Sequence, residues 1–252
     1  MKSVIDKIKG RAIYAFLVLM VIFFTIINPN FLTVKNLLNV AKQVSIFGIA
    51  SVGMTYVILL GGIDLATGSI ISFVNIVCAY FMVNIGMNVV LAVLLSLIIS
   101  TFIGFLNGII IAELRMPALI VTFASQTIFA GYAYIICGGV PISRMPESFL
   151  KLGQGYVGPI PVPVIVMVVI FAIGTFILNK TYFGRYFYAV GGNEKATKLS
   201  GIDPRRVYFW AYFLMSALAG LSGLLVAARI GSVDGNMGNT YEMDAIASCF
   251  IG

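Results

Sequence analysis

VVLAVLLSLIISTFIGFLNGIIIA, residues 89–112, runs for 24 positions without one charged side chain. About 20 such residues, wound as helix, cross the ~30 Å hydrocarbon core of a bilayer. In water a helix that is apolar all round has no face to turn outward. Working outward in both directions, similar runs give further spans at 12–28, 44–60, 68–86, 118–137, 161–179 and 207–228, with another starting at 245. The fold class is all-α integral membrane: a polytopic helical bundle of seven full spans plus the start of an eighth. Composition agrees, with 60% apolar and only 10% charged residues, against about 25% charged in soluble domains. The longest polar segment, 179–206, is a loop rather than a domain, so 1–252 reads as one transmembrane domain. Because the last run stops at Gly252, the chain is expected to be truncated at its C-terminus, inside an element.

Charge sets the orientation. With the N-terminus in the cytoplasm, 11 Lys and Arg residues (Lys2, Lys7, Lys9, Arg11, Arg115, Lys180, Arg185, Lys195, Lys198, Arg205 and Arg206) lie on the cytoplasmic side, against 5 opposite (Lys35, Lys42, Arg144, Lys151 and Arg229). Basic residues concentrate in cytoplasmic loops, so the N-terminus is expected inside. The net charge of +7 is thus accounted for without nucleic acid. The basic start followed by an apolar run resembles a signal peptide, but no small-x-small cleavage site follows, and it reads as an uncleaved first span. There is no His, and Cys78, Cys137 and Cys249 are odd in number beside apolar runs, so neither a metal site nor a disulfide framework is expected.

The polar loop carries dense helix signals. In 189–207, AVGGNEKATKLSGIDPRRV, Gly191 and Gly192 give a flexible entry, Asn193 an N-cap and Glu194 an acid in the first turn. Lys198 follows Glu194 at i,i+4. Gly201 suits the position after a helix end, with Ile202 beyond it, and Asp203-Pro204 starts the next helix. The expectation is a helix of about two turns on the cytoplasmic face, with Ala196 and Leu199 exposed. Two readings stay open: a solvated loop with an incidental turn, or a coupling helix that enters a groove on a cytoplasmic partner. No phosphate-binding loop follows, so any ATP is hydrolysed elsewhere.

Polar residues also occur within the spans. Asp64 sits in GGIDLATGS (61–69), where two apolar runs meet. An acid at membrane depth is costly and functional by default; alternatively it caps the helix starting near Leu65. Thr122, Ser125, Gln126 and Phe129 share one helix face at i, i+3, i+4 and i+7. They either line an aqueous path for a hydroxylated solute or hydrogen-bond between helices. Asn75 and Asn107 share that ambiguity. Gly104 and Gly108 form a GxxxG pair that favours close helix packing.

Five segments carry a resemblance: GGIDLATGSII (61–71), GFLNGIIIAELRMPALIVTFAS (104–125), GGVPIS (138–143), NKTYFGRYFYAVGGNEKATKLSGI (179–202) and ARIGS with YEMDAIAS (228–248). Together they make the whole chain similar to the permease subunits of bacterial ABC sugar importers, in the ribose, xylose and galactoside group. The resemblance implies about ten spans in two inverted five-helix repeats, in the bacterial inner membrane. It implies a second permease copy (homodimer or related chain), a cytoplasmic ATP-binding cassette subunit that uses the ATP, and a periplasmic sugar-binding protein. No cofactor would be bound by this chain. The family's coupling segment falls on Gly191–Gly201, and the loop 138–163 with 229–244 falls on the outer face, where the binding protein docks. A ribose-like monosaccharide is the expected solute. A stand-alone secondary transporter would need an embedded ion site, for which Asp64 alone is available; an intramembrane enzyme would need a Ser–Lys or paired-Asp site, and no such pair lies inside the spans.

Overall fold

A computed structural model describes the backbone of residues 2–251 and the side chains of residues 14–251; the basic side chains Lys2, Lys7, Lys9 and Arg11 lie outside the described residues. The chain forms two compact units, Met1–Gln43 and Val44–Gly252.

The first unit holds α1 (Lys2–Ile27) and the start of α2 (Val34–Leu59). Between them Asn28 Oδ1 accepts from the Asn30 amide at 3.0 Å, and Thr33 Oγ1 accepts from the Asn36 amide at 3.4 Å, where α2 begins. Expected at 44, this helix starts ten residues earlier. Lys35 and Lys42 interrupt the apolar run, and hydropathy alone cannot carry a helix through two lysines.

The second unit contains the rest of α2, α3 (Thr67–Val83), α4 (Val89–Glu113), α5 (Ala118–Cys137), β1 (Ile142–Ser143), α6 (Glu147–Gln154), β2 (Tyr156–Val157), β3 (Ile160–Pro161), α7 (Val162–Lys180), α8 (Tyr182–Gly192), α9 (Glu194–Leu199), α10 (Pro204–Ile230), β4 (Ser232–Val233) and α11 (Tyr241–Ile251). α3 is the hub: Ile70, Ile71, Val74, Ile76 and Ala79 are all fully buried, packed with Ala219, Ala227 and Ala228 of α10 and Ile103 of α4. Small residues let these helices approach closely. A Cβ at Gly104 would lie 2.6 Å from Ser216 Cβ and 2.7 Å from the Tyr212 carbonyl, and one at Gly108 2.9 Å from the Phe209 carbonyl. The GxxxG pair is therefore the seam between α4 and α10. By contrast α7 buries only Pro163 and Gly174 and exposes Val168, Val169, Phe171, Ile173 and Phe176, a surface that suits lipid.

Among the described residues, five helices are long and apolar enough to cross a membrane: α2, α4, α5, α7 and α10. The expected span 12–28 falls within α1 (Lys2–Ile27), whereas the expected span 68–86 comes out shorter, as the 17-residue α3. The expected span 68–86 loses its end because the chain leaves the helix at Asn84 and turns at Gly86, whose φ is +74°. The region expected to start a span at 245 is helical from Tyr241 to Ile251.

Opposite α8 and α9, the expected loop 138–163 is more ordered than its composition implies. It contains α6, anchored by the fully buried Phe149, and Gly153, where a Cβ would collide with the Arg229 backbone. β1 pairs antiparallel with β4 (Ile142 with Val233, Ser143 with Ser232), and β2 with β3. The two segments expected on the outer face, 138–163 and 229–244, are thus joined by a ladder.

Candidate functional site

The site begins where α7 ends. Thr181 Oγ1 accepts from the Gly184 amide at 3.2 Å and starts α8. Asn193 ends α8 and caps α9: its Oδ1 accepts from the Ala196 amide at 3.0 Å, as the sequence predicts. Thr197, the one buried residue of α9, donates its hydroxyl to the Ala189 carbonyl at 2.7 Å, tying α9 back to α8. At the other end Gly201 has φ +86°; its amide donates to the Lys198 carbonyl at 3.0 Å and the Ile202 amide to the Thr197 carbonyl at 3.3 Å. That pair of bonds is a Schellman ending. Asp203 Oδ1 then accepts from the Arg205 amide at 3.1 Å and Pro204 opens α10.

Two expectations change here. Gly191 and Gly192 are the last turn of α8 rather than a flexible entry. A Cβ at Gly191 would run into the Leu59 carbonyl, so this glycine lets α8 press on the end of α2. Glu194 and Lys198 make no ion pair among the described residues; Glu194 Oε2 instead accepts from Tyr208 Oη at 3.4 Å. The helix presents Ala196 and Leu199 outward, and Leu199 is 91% exposed. Replacing Asn193 with alanine removes the cap and is expected to cost α9 about 1 kcal/mol. Faster amide exchange at residues 195–199, with α10 unchanged, is the measurable result.

The polar residues of the spans are mostly turned inward. Asp64 is fully buried; Oδ1 accepts from the Ala66 amide at 2.8 Å, closing a turn just before α3, while Oδ2 has no partner. The helix N-cap itself is Ala66, so Asp64 shapes the approach to α3 rather than capping it. Thr122 donates to the Ala118 carbonyl at 2.9 Å and lies 3.4 Å from the Ile63 carbonyl. Ser125 bonds Asn107 Oδ1 across α4 and α5. Phe129, half-buried, packs its ring 5.2 Å from Phe73, and Gln126 is half-buried beside it. Thr122, Ser125, Asn107 and the Asp64 turn are thus gathered where α3, α4 and α5 meet. Asn75 stands apart, fully buried against Gly223 of α10 with neither side-chain polar atom bonded.

Sequence reasoning passed over three buried side chains that carry an unbonded polar atom. Tyr212 (1% exposed) and Ser216 lie one turn apart on α10, and Glu242 opens α11 against Gly68. The Tyr212 hydroxyl, Ser216 Oγ and Glu242 Oε2 all lack a partner. The i,i+4 spacing of Tyr212 and Ser216, opposite the Gly104–Gly108 seam, was the available signal.

A cleft of about 360 Å³ adjoins α9. It lies between α9, the α2–α3 connection at Gly61 and Gly62, the α4–α5 turn at Arg115, and the start of α10.

A bundle of apolar helices with short capped helices between two of its long ones defines a multi-pass membrane protein. Residues 36–252 match the family described as branched-chain amino acid transport system / permease component. The chain belongs to that permease family. It is 38% identical over 249 residues to a ribose import permease protein of Haemophilus influenzae, covering 97% of this chain and 76% of that one. To the ribose import permease protein of Bacillus subtilis it is 41% identical, covering 94% and 74%. To a galactose/methyl galactoside import permease protein of Salmonella typhimurium it is 32% identical, covering 100% and 80%. These relatives are named as import permeases, not as enzymes. No solved structure matches the chain at a significant level.

Proposed function

We propose that the chain is the membrane-spanning permease of an ATP-driven importer that carries a ribose-like monosaccharide into the cytoplasm. The observation that carries this is α9: a short helix capped at both ends, fixed to α8 by Thr197, joined directly to α10, and offering Ala196 and Leu199 to a partner. A rigid connector of this kind passes movement of a docked ATPase subunit to α7 and α10. Gly191, Gly192, Asn193, Glu194, Ala196, Leu199 and Gly201 form this coupling segment. Identity of 37–41% to ribose import permeases supports the sugar.

In this reading the N-terminus is cytoplasmic, in line with the basic residues of the α8–α10 connection. The chain contributes seven spans and the start of an eighth to a fold of about ten, arranged as inverted repeats, and pairs with a second permease copy. A periplasmic sugar-binding protein docks on the β1–β4 face. The solute passes along α5, beside Gln126 and Phe129, while Asp64, Thr122 and Ser125 hold that wall from within and Asn75 lines the path from the α10 side of α3.

The test is uptake of labelled ribose by proteoliposomes holding the chain with its ATPase and binding protein. Uptake is expected only with internal ATP and both partners. Equal uptake by vesicles that contain the chain alone, without ATP, would overturn the reading.

A further inference from the structure

The cleft beside α9 has two chemically different ends. At its rim stand Arg115 and Lys198, and neither joins an ion pair among the described residues, where the pairs are Arg205 with Glu113 (2.9 Å) and Arg206 with Asp203 (3.8 Å). Arg115 is held at φ +52°, a left-handed conformation that non-glycine residues seldom adopt. At the floor is the Tyr212 hydroxyl, buried and without a partner. Gly62 lies directly over it, and a Cβ there would occupy the space in front of the hydroxyl. The acids of the cleft are already engaged: Asp203 with the Arg205 amide and Arg206, Glu194 with Tyr208.

A buried hydroxyl without a partner is costly unless something fills the role. Cations at the rim favour an anion, and a cleft of about 360 Å³ lies within the usual range of about 300–1,000 Å³ for small-molecule sites. Water occupies about 30 Å³ per molecule, so an inorganic anion leaves most of the space empty. We propose that this cleft binds a phosphate joined to a polyol, with the phosphate at Arg115 and Lys198 and a ligand hydroxyl at Tyr212. That chemistry has two sources, a phosphorylated sugar in the cytoplasm or the headgroup of phosphatidylglycerol. Either would tie α9 to the α2–α3 connection and the α4–α5 turn. Resting on the coupling role of α9, the bound ligand restrains the coupling movement and so lowers transport.

The test measures binding of radiolabelled ribose 5-phosphate to the full chain in phosphatidylcholine nanodiscs. Saturable binding at one site per chain is expected, weakened about tenfold, equal to about 1.4 kcal/mol, by Lys198→Gln and by Tyr212→Phe, with free ribose unable to compete. Lys198 is exposed on α9, so its replacement leaves the core intact. If phosphatidylglycerol is the source, discs containing it block the sugar phosphate, and the wild type retains that lipid through detergent washing while Lys198→Gln does not. Binding unaffected by both substitutions, inorganic phosphate competing as well as ribose 5-phosphate, or neither ligand being retained, overturns the proposal. Since no transport step enters the assay, such a result leaves the permease reading standing, and a failure of ATP-driven uptake leaves a positive binding result standing.

Discussion

Ala196→Trp abolishes ATP-driven sugar uptake, by about a hundredfold or more, while the chain still inserts and folds. Ala196 is exposed, so a larger side chain there costs the isolated protein little. Docked on an ATPase subunit, the same side chain must fit inside a groove. A few kilocalories of steric misfit then suffice, since each 1.4 kcal/mol is about tenfold in occupancy. The measurement pairs uptake with a protease-protection assay of the membrane-inserted chain. Normal uptake in the mutant would remove α9 from the coupling role.

Gly104→Val is expected to do the opposite damage, destabilising the bundle itself. The added Cβ would press on Ser216 at 2.6 Å and on the Tyr212 carbonyl at 2.7 Å. The carbonyl is backbone and cannot rotate aside, so α4 and α10 must separate. Overpacking in a close-packed interior costs about 1–3 kcal/mol and occasionally more, and we expect the upper end. Thermal unfolding in detergent should shift down by several degrees, whereas Gly131→Val, at a position with open space around it, should unfold like the wild type. Equal stability of the two variants would show that the α4–α10 seam is looser than described.

The capped helix was the most legible part of the sequence because its signals are local. Asn193, Gly201, Ile202 and Asp203-Pro204 act on backbone groups within three or four residues, and each is found performing the role its position predicts. Gly104 and Gly108 were legible for a related reason: two small residues one turn apart have few uses in a span besides close packing. What stayed hidden depends on distant neighbours. Gly191 and Gly192 each disfavour helix by about 1 kcal/mol, yet both are helical, and at Gly191 α8 presses on the end of α2. Tyr212 and Glu242 look like ordinary members of their helices until Gly62 and Gly68 are brought beside them. The stripe on α5 could not be resolved from spacing, since a path and a polar contact between helices need the same residue types. Ser125 meets Asn107 between α5 and α4, and Thr122 lies against the Ile63 carbonyl of the α2–α3 connection.

In the proposed importer α9 sits in a groove of a cytoplasmic ATPase subunit. The direct measurement is site-directed cross-linking from Leu199→Cys, whose side chain is 91% exposed in the isolated chain, in membranes that contain the assembled complex. An efficient cross-link to the ATPase subunit that changes when ATP is added is expected, with none from Val168→Cys on the outward face of α7. No cross-link from position 199 in a complex that transports sugar would contradict it.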